Sequence, residues 1–101
     1  MAHVMKIMPA ETLAGTRVLT VAEVANNGIM TFNPGGAGRA ITLPAIASTI
    51  GQTFVLRNSA DAAEILTISD SVGTVITPTQ NESAILWNDG VRWCGIAGAN
   101  S

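Results

Sequence analysis

The chain has 101 residues, the size of one domain, and only 12% of them are charged, about half of the roughly 25% usual in globular domains. The formal net charge of −2 and the five scattered basic residues predict no nucleic-acid partner. Hydrophobic residues make up 48%, yet no apolar run approaches the ~20 residues of a membrane-spanning helix, so no membrane association is expected. A chain so poor in charge is expected to cover part of its surface with a partner subunit, which predicts a homo-oligomer.

Residues 1–16 are predicted to form an extended N-terminal arm, because they show no hydrophobic period and are interrupted by Pro9 and Gly15. They contain no unbroken apolar stretch of the kind a signal peptide needs, so no secretion route is expected. An apolar arm can pair with a neighbouring protein through burial of its side chains. The candidate interface residues of the arm are Val4, Met5, Ile7 and Met8.

Residues 17–101 are predicted to form a single β domain. A strand at residues 18–24 is rich in β-branched side chains, and Asn27-Gly28 predicts a tight hairpin into a strand at residues 29–33. The next predicted elements are a strand at residues 39–43, one helical turn at 45–50, and strands at 53–57, 65–69, 74–77, 82–87 and 91–96. About eight short strands at roughly 8–12 residue intervals predict an all-β fold, a small antiparallel β-sandwich or barrel-like domain.

Catalytic chemistry finds little support, and we expect no enzyme activity, no cofactor and no metal site. The chain has one histidine, His3, in the predicted arm, and one cysteine, Cys94, so neither a nucleophile–base pair nor a zinc site can be assembled from them. The glycine-rich loop at residues 34–39 leads into a strand rather than a helix, unlike a phosphate-binding loop. Solvated turn positions account for the carboxylates Asp61, Glu64, Asp70, Glu82 and Asp89 better than a catalytic pair does.

Trp87 and Trp93 flank the turn Asn88-Asp89-Gly90 in the last predicted hairpin. If the turn is tight, both indoles face the same side and pack as a cross-strand or diagonal pair. A stacking platform for sugar is the alternative, and an anchor in a subunit interface is also compatible with the pattern. We favour core or interface packing over ligand binding.

The order of motifs from Ile41 to Ile96 resembles structural proteins of tailed phages. It comprises ITLP, a Gly followed by TFVLRN, then ILTI, and finally the strand-turn-strand LWNDGVRW. It is similar to the small β modules of capsid decoration (cement) proteins and of tail fibres. Cys94 stands where such modules often carry an aromatic residue, and the residues before Gly38 are not covered by the resemblance.

The resemblance implies an oligomer, commonly a trimer, bound to the outer capsid surface of the virion after synthesis in the host cytoplasm. Its partner would then be the major capsid protein, and its function would be to stabilise the head. The alternative is a small tail-fibre or receptor-binding module that contacts host glycan. The short length favours decoration, because a fibre also needs an attachment domain and a shaft.

Overall fold

The computed structural model describes residues 5–100, so Val4 and His3 lie outside the described residues. Most of the regular structure is β-strand. The strands are β1 Glu11–Thr12, β2 Arg17–Val18, β3 Ile29–Asn33, β4 Arg39–Thr42, β5 Thr53–Asn58, β6 Leu66–Ser69, β7 Thr74–Ile76, β8 Glu82–Asn88 and β9 Trp93–Ala99. One helix, α1 at Val21–Asn26, and one 3₁₀ turn at Ile46–Ser48 complete the elements of the described part.

The strands form two mixed sheets rather than antiparallel ones. The five-stranded sheet has the order β1-β3-β5-β8-β9 and the four-stranded sheet the order β2-β4-β6-β7. From β1 to β6 the chain alternates between the two sheets, so the strands that become neighbours are two elements apart and run in the same direction. The pairs β1–β3, β3–β5, β2–β4 and β4–β6 are therefore parallel. The prediction of an antiparallel domain is wrong for this first part of the chain.

The last third of the chain is antiparallel, as predicted. β7 turns back on β6, and β8 pairs with β5 and with β9. The final hairpin places Trp87 opposite Cys94 and Asn88 opposite Trp93. The strand at residues 82–87 and the turn after it are thus confirmed, while the return strand starts two residues later than expected.

The predicted strand at residues 18–24 is wrong, since most of it forms α1. The Thr20 hydroxyl accepts a hydrogen bond from the Glu23 amide, and the Glu23 carboxylate accepts one from the Thr20 amide. This reciprocal capping box starts the helix in spite of the β-branched residues within it. The predicted hairpin at Asn27-Gly28 is also absent, because β2 and β3 belong to different sheets.

Residues 5–16 lie along the edge of the five-stranded sheet. Ile7 forms a parallel bridge with Ile29, and β1 continues the pairing with β3. The side chains of Met8 and Leu13 are buried in the core. The described part of the predicted arm therefore packs on its own domain instead of extending from it.

The core draws on both sheets, and in β3, β5 and β6 buried residues alternate with half-buried or exposed ones. Met30 and Phe32 of β3, and Phe54 and Leu56 of β5, are fully buried, as their alternation predicts. Trp93 packs edge-to-face on Phe54, with ring centroids 5.7 Å apart. The other members of the core cluster are Met8, Leu13, Leu19, Val24, Ile41, Leu43, Leu66, Ile68, Ala84 and Leu86.

Candidate interaction surface

An uninterrupted row of aliphatic side chains crosses the outward side of the five-stranded sheet. Because paired residues project on the same side, the strand registers align one residue from each of β3, β5, β8 and β9, and an isolated bridge to β3 adds Ile7. Ile7, Ile85 and Ile96 are 66%, 43% and 59% exposed. We call this set the apolar row, and its members in strand order are Ile7, Ile29, Val55, Ile85 and Ile96.

Trp87 lies next to the apolar row on the same side of the sheet. It is two residues from Ile85 on β8, half-buried, and flanked in register by Thr53 and Cys94. We call the whole outward side the outer face. It consists of the apolar row together with Thr12, Thr31, Asn33, Thr53, Arg57, Ser83, Trp87, Cys94 and Gly98.

Charge is nearly absent from the outer face in the described residues. Its one charged side chain is Arg57, which donates a hydrogen bond to the Asn81 amide oxygen at 2.9 Å. The thiol of Cys94 is half-exposed rather than buried, and partial desolvation together with the nearby Asp89 carboxylate raises its pKa. Apart from Arg57 the face is uncharged, and short polar side chains border its aliphatic row.

The two tryptophans have different roles and lie on opposite sides of the sheet. The register of the hairpin offsets them by one residue, which reverses the side to which the side chain points. Trp93 is in the core, where its indole Nε1 donates to the Pro44 carbonyl at 3.2 Å. The predicted same-side packing is therefore wrong, and Trp87 alone is available on the outer face.

A buried carboxylate connects the two sheets beneath the final hairpin. The side chain of Asp70, which follows β6, has 0% exposure and pairs with Arg92 at 3.1 Å. It also accepts hydrogen bonds from the amides of Val72, Gly73 and Trp93. Burial alone would raise the pKa of Asp70, but these four donors hold it below its usual value. The expectation that every such carboxylate occupies a solvated turn is wrong for this one.

The remaining predicted turn carboxylate next to this site, Asp89, behaves as expected. It is exposed and accepts hydrogen bonds from the amides of Val91 and Arg92 at 2.8 and 3.0 Å. These bonds lower the pKa of Asp89. The turn that joins β8 to β9 is therefore stabilised by its own side chain.

A second ionic group fixes the start of the domain. Arg17 of β2 donates to the carboxylates of Glu11 and Glu23, which links β1, β2 and α1. The hydrogen bond from Arg17 lowers the pKa of Glu23 to about 2, and the two glutamates raise the pKa of Arg17. All three charges are used in internal pairs, so this group offers no free charge to a ligand.

A depression beside the N-terminal segment has the wrong chemistry for catalysis. It is open, has a volume of about 280 Å³, and lies between the N-terminal segment and the end of α1. Lys6 is its one charged lining residue, and Met5 closes one side against Gly28. Among residues 5–100 no group of three or more His, Cys, Asp or Glu side chains is arranged to hold a metal ion.

The structure brings together part of the predicted set of interface residues. Ile7 and Trp87 are on the outer face, Met8 and Trp93 are in the core, and Met5 packs against the backbone of α1's end. The sequence reasoning missed four residues of the outer face, namely Ile29, Val55, Ile85 and Ile96. Their signal is present in the uninterrupted apolar runs Phe54-Val55-Leu56 of β5 and Ala84-Ile85-Leu86-Trp87 of β8.

Comparison with protein-family models, with curated protein sequences and with solved structures finds no match to this chain. In the part of the chain that the structure describes, no helix is long and apolar enough to cross a membrane.

Proposed function

We propose that this chain is a structural virion protein, a decoration or cement protein that binds the outer surface of a phage head as a homo-oligomer and stabilises it. The observation that carries the proposal is the outer face, whose aliphatic row crosses the five-stranded sheet and has no covering element of its own chain within residues 5–100. Apolar patches of this extent on a small domain mark sites of protein–protein contact. The sequence resemblance supplies the phage setting, the major capsid protein as partner and the trimer as the expected oligomer.

Three exposed aliphatic residues at one end of the domain provide a separate surface for the capsid. Ile50, Val72 and Val91 are each at least 61% exposed. Their loops are tied together, because the Gly51 amide donates to the Asn88 carbonyl and Arg92 pairs with Asp70. Loop tips that are apolar and held by internal hydrogen bonds suit docking on another protein surface, since they lose little conformational entropy on binding.

Co-sedimentation with undecorated phage capsids tests the proposal. The chain is expected to co-sediment with the capsids. A double variant with Val72→Lys and Val91→Lys is expected to bind them at least tenfold more weakly. Ala62→Lys, in a loop outside this surface, serves as the control and should bind as the unmodified chain does. A folded chain that does not co-sediment with any capsid tested contradicts the proposal.

A glycan-binding module is the second candidate, and the placement of Trp87 favours it. An indole half-exposed beside Thr53 on the outward side of the sheet is a platform on which a sugar ring can stack. A glycan array with Trp87→Ala distinguishes the candidates, because this variant removes the platform and leaves Trp93 in the core. Sugar binding that disappears in a folded Trp87→Ala chain would establish the second function.

A further inference from the structure

We infer that the outer face is the surface through which copies of this chain pack against one another. The inference rests on the homo-oligomer proposed above and adds the location of its interface. The occupant of the face is the same face of another copy of this chain.

The strand sequences indicate that the sheet is covered on both sides. A strand with one solvated side alternates apolar and polar residues, whereas a strand buried on both sides is an uninterrupted apolar run. β5 contains Phe54-Val55-Leu56 and β8 contains Ala84-Ile85-Leu86-Trp87. In both strands one set of side chains fills the core of the domain. The other set, on the outer face, is therefore expected to be covered by a second layer of protein.

The charge on the outer face favours a self-partner. A complementary interface between different proteins usually pairs opposite charges, but the described part of this face offers only Arg57, at its border. Apart from this border residue, two identical faces bring no charge out of water. Their pleats also have the same spacing, so the aliphatic side chains of one row can interdigitate with those of the other, as in sheet-on-sheet packing.

The size of the face sets the expected strength of association. Five strands about 4.8 Å apart, each contributing about five residues at roughly 3.3 Å, give about 400 Å² in plan for each copy. The two faces together then cover about 800 Å² in plan, which is the range of weak specific contacts below about 1,200 Å². We therefore expect a reversible oligomer that dissociates on dilution.

Light scattering coupled to size-exclusion chromatography tests the inference. The unmodified chain should elute at a multiple of its 10.4 kDa mass at high concentration, and Ile85→Lys, between Val55 and Ile96 in the row, should elute as the monomer. The control is Ala62→Lys, which adds the same charge at an exposed residue outside both the outer face and the capsid surface and should leave the mass unchanged. An Ile85→Lys chain that keeps the oligomer mass overturns the inference.

Thiol labelling gives a second measurement that needs no substitution. Cys94 is the only cysteine of the chain and lies on the outer face opposite Trp87. Its rate of modification should rise as the protein is diluted, because dissociation uncovers it. A rate independent of concentration, together with a monomeric mass at about 100 μM, overturns the inference.

The capsid assay separates this inference from the proposed function. A chain that self-associates through Ile85 but ignores capsids supports the inference and overturns only decoration. A monomeric chain that loses capsid binding in Ile85→Lys assigns the outer face to the capsid, which overturns the inference and leaves decoration standing.

Discussion

Replacing Asp70 with asparagine tests the buried link between the two sheets. Its carboxylate accepts five hydrogen bonds, from the Val72, Gly73 and Trp93 amides and twice from the Arg92 guanidinium. An asparagine retains one acceptor oxygen but places an NH₂ group where the second oxygen was. That NH₂ faces the Trp93 amide and the Arg92 Nε, which are both donors, so two hydrogen bonds are lost.

The expected loss of stability follows from the environment of each lost bond. A buried amide left without an acceptor costs about 1–3 kcal/mol. The bond to Arg92 contributes less, about 1 kcal/mol, because that side chain is 36% exposed and solvent screens the pair. The free energy of unfolding of Asp70→Asn should therefore be about 3 kcal/mol lower than that of the unmodified chain.

Urea unfolding at pH 7, followed by tryptophan fluorescence at one fixed protein concentration, measures this loss. The matched control is Asp89→Asn, which makes the same change in the neighbouring turn, where the carboxylate is exposed and asparagine can also form the turn. Its loss of stability should be clearly smaller than that of Asp70→Asn. If Asp70→Asn loses no more stability than Asp89→Asn does, the buried carboxylate is not a link between the sheets and the reasoning fails.

Three further predictions concern the same scaffold. Acidification should destabilise the fold, because the folded-state pKa values of Asp70 and Glu23 lie below the ordinary values of 3.8 and 4.5 for these side chains. Their contribution to stability is complete above the ordinary values and is lost as the pH falls through the folded-state values. The loss of stability measured by urea unfolding between pH 5 and 2.5 should be smaller in Asp70→Asn. Thr20→Ala removes the side-chain cap of α1 and should cost about 1 kcal/mol, whereas Thr20→Ser should cost little in the same assay. Trp93→Ala should cost about 3–5 kcal/mol by emptying the core, and Trp87→Ala less than half of that; equal losses in thermal unfolding would contradict their placement on opposite sides of the sheet.

The strands themselves could be predicted from the sequence wherever a run is bounded by turn residues. β3, β5 and β8 appear within one residue of their predicted ends because alternation, Gly and Pro are local signals. The pairing of the strands could not be predicted in the same way, because alternation indicates that one side is buried and not which strand is adjacent. Whether β3 pairs with β2 or with β5 depends on the sheet to which each strand belongs, and that is a property of the whole chain.

Two local errors have more specific causes. The Thr20 and Glu23 pair is a readable helix signal, but the β-branched residues around it favoured a strand on propensity alone. Asp70 resembles any other turn carboxylate in the sequence, because the partner that buries it, Arg92, is 22 residues away. Long-range contacts of this kind carry no signature in the spacing of nearby residues.

The outer face could be predicted from the sequence only in part. Trp87 could be identified from the sequence as a large side chain beside a turn, but the apolar row could not, because its members come from five segments of the chain. Both kinds of pairing contribute to it: parallel pairing aligns Ile29 with Val55, and antiparallel pairing adds Ile85 and Ile96. If one strand slipped by one residue against its neighbour, its member of the row would point into the core and a core residue would point outwards. The row therefore exists only when the register is correct, so the packing that fixes the register of the core also produces the interaction surface.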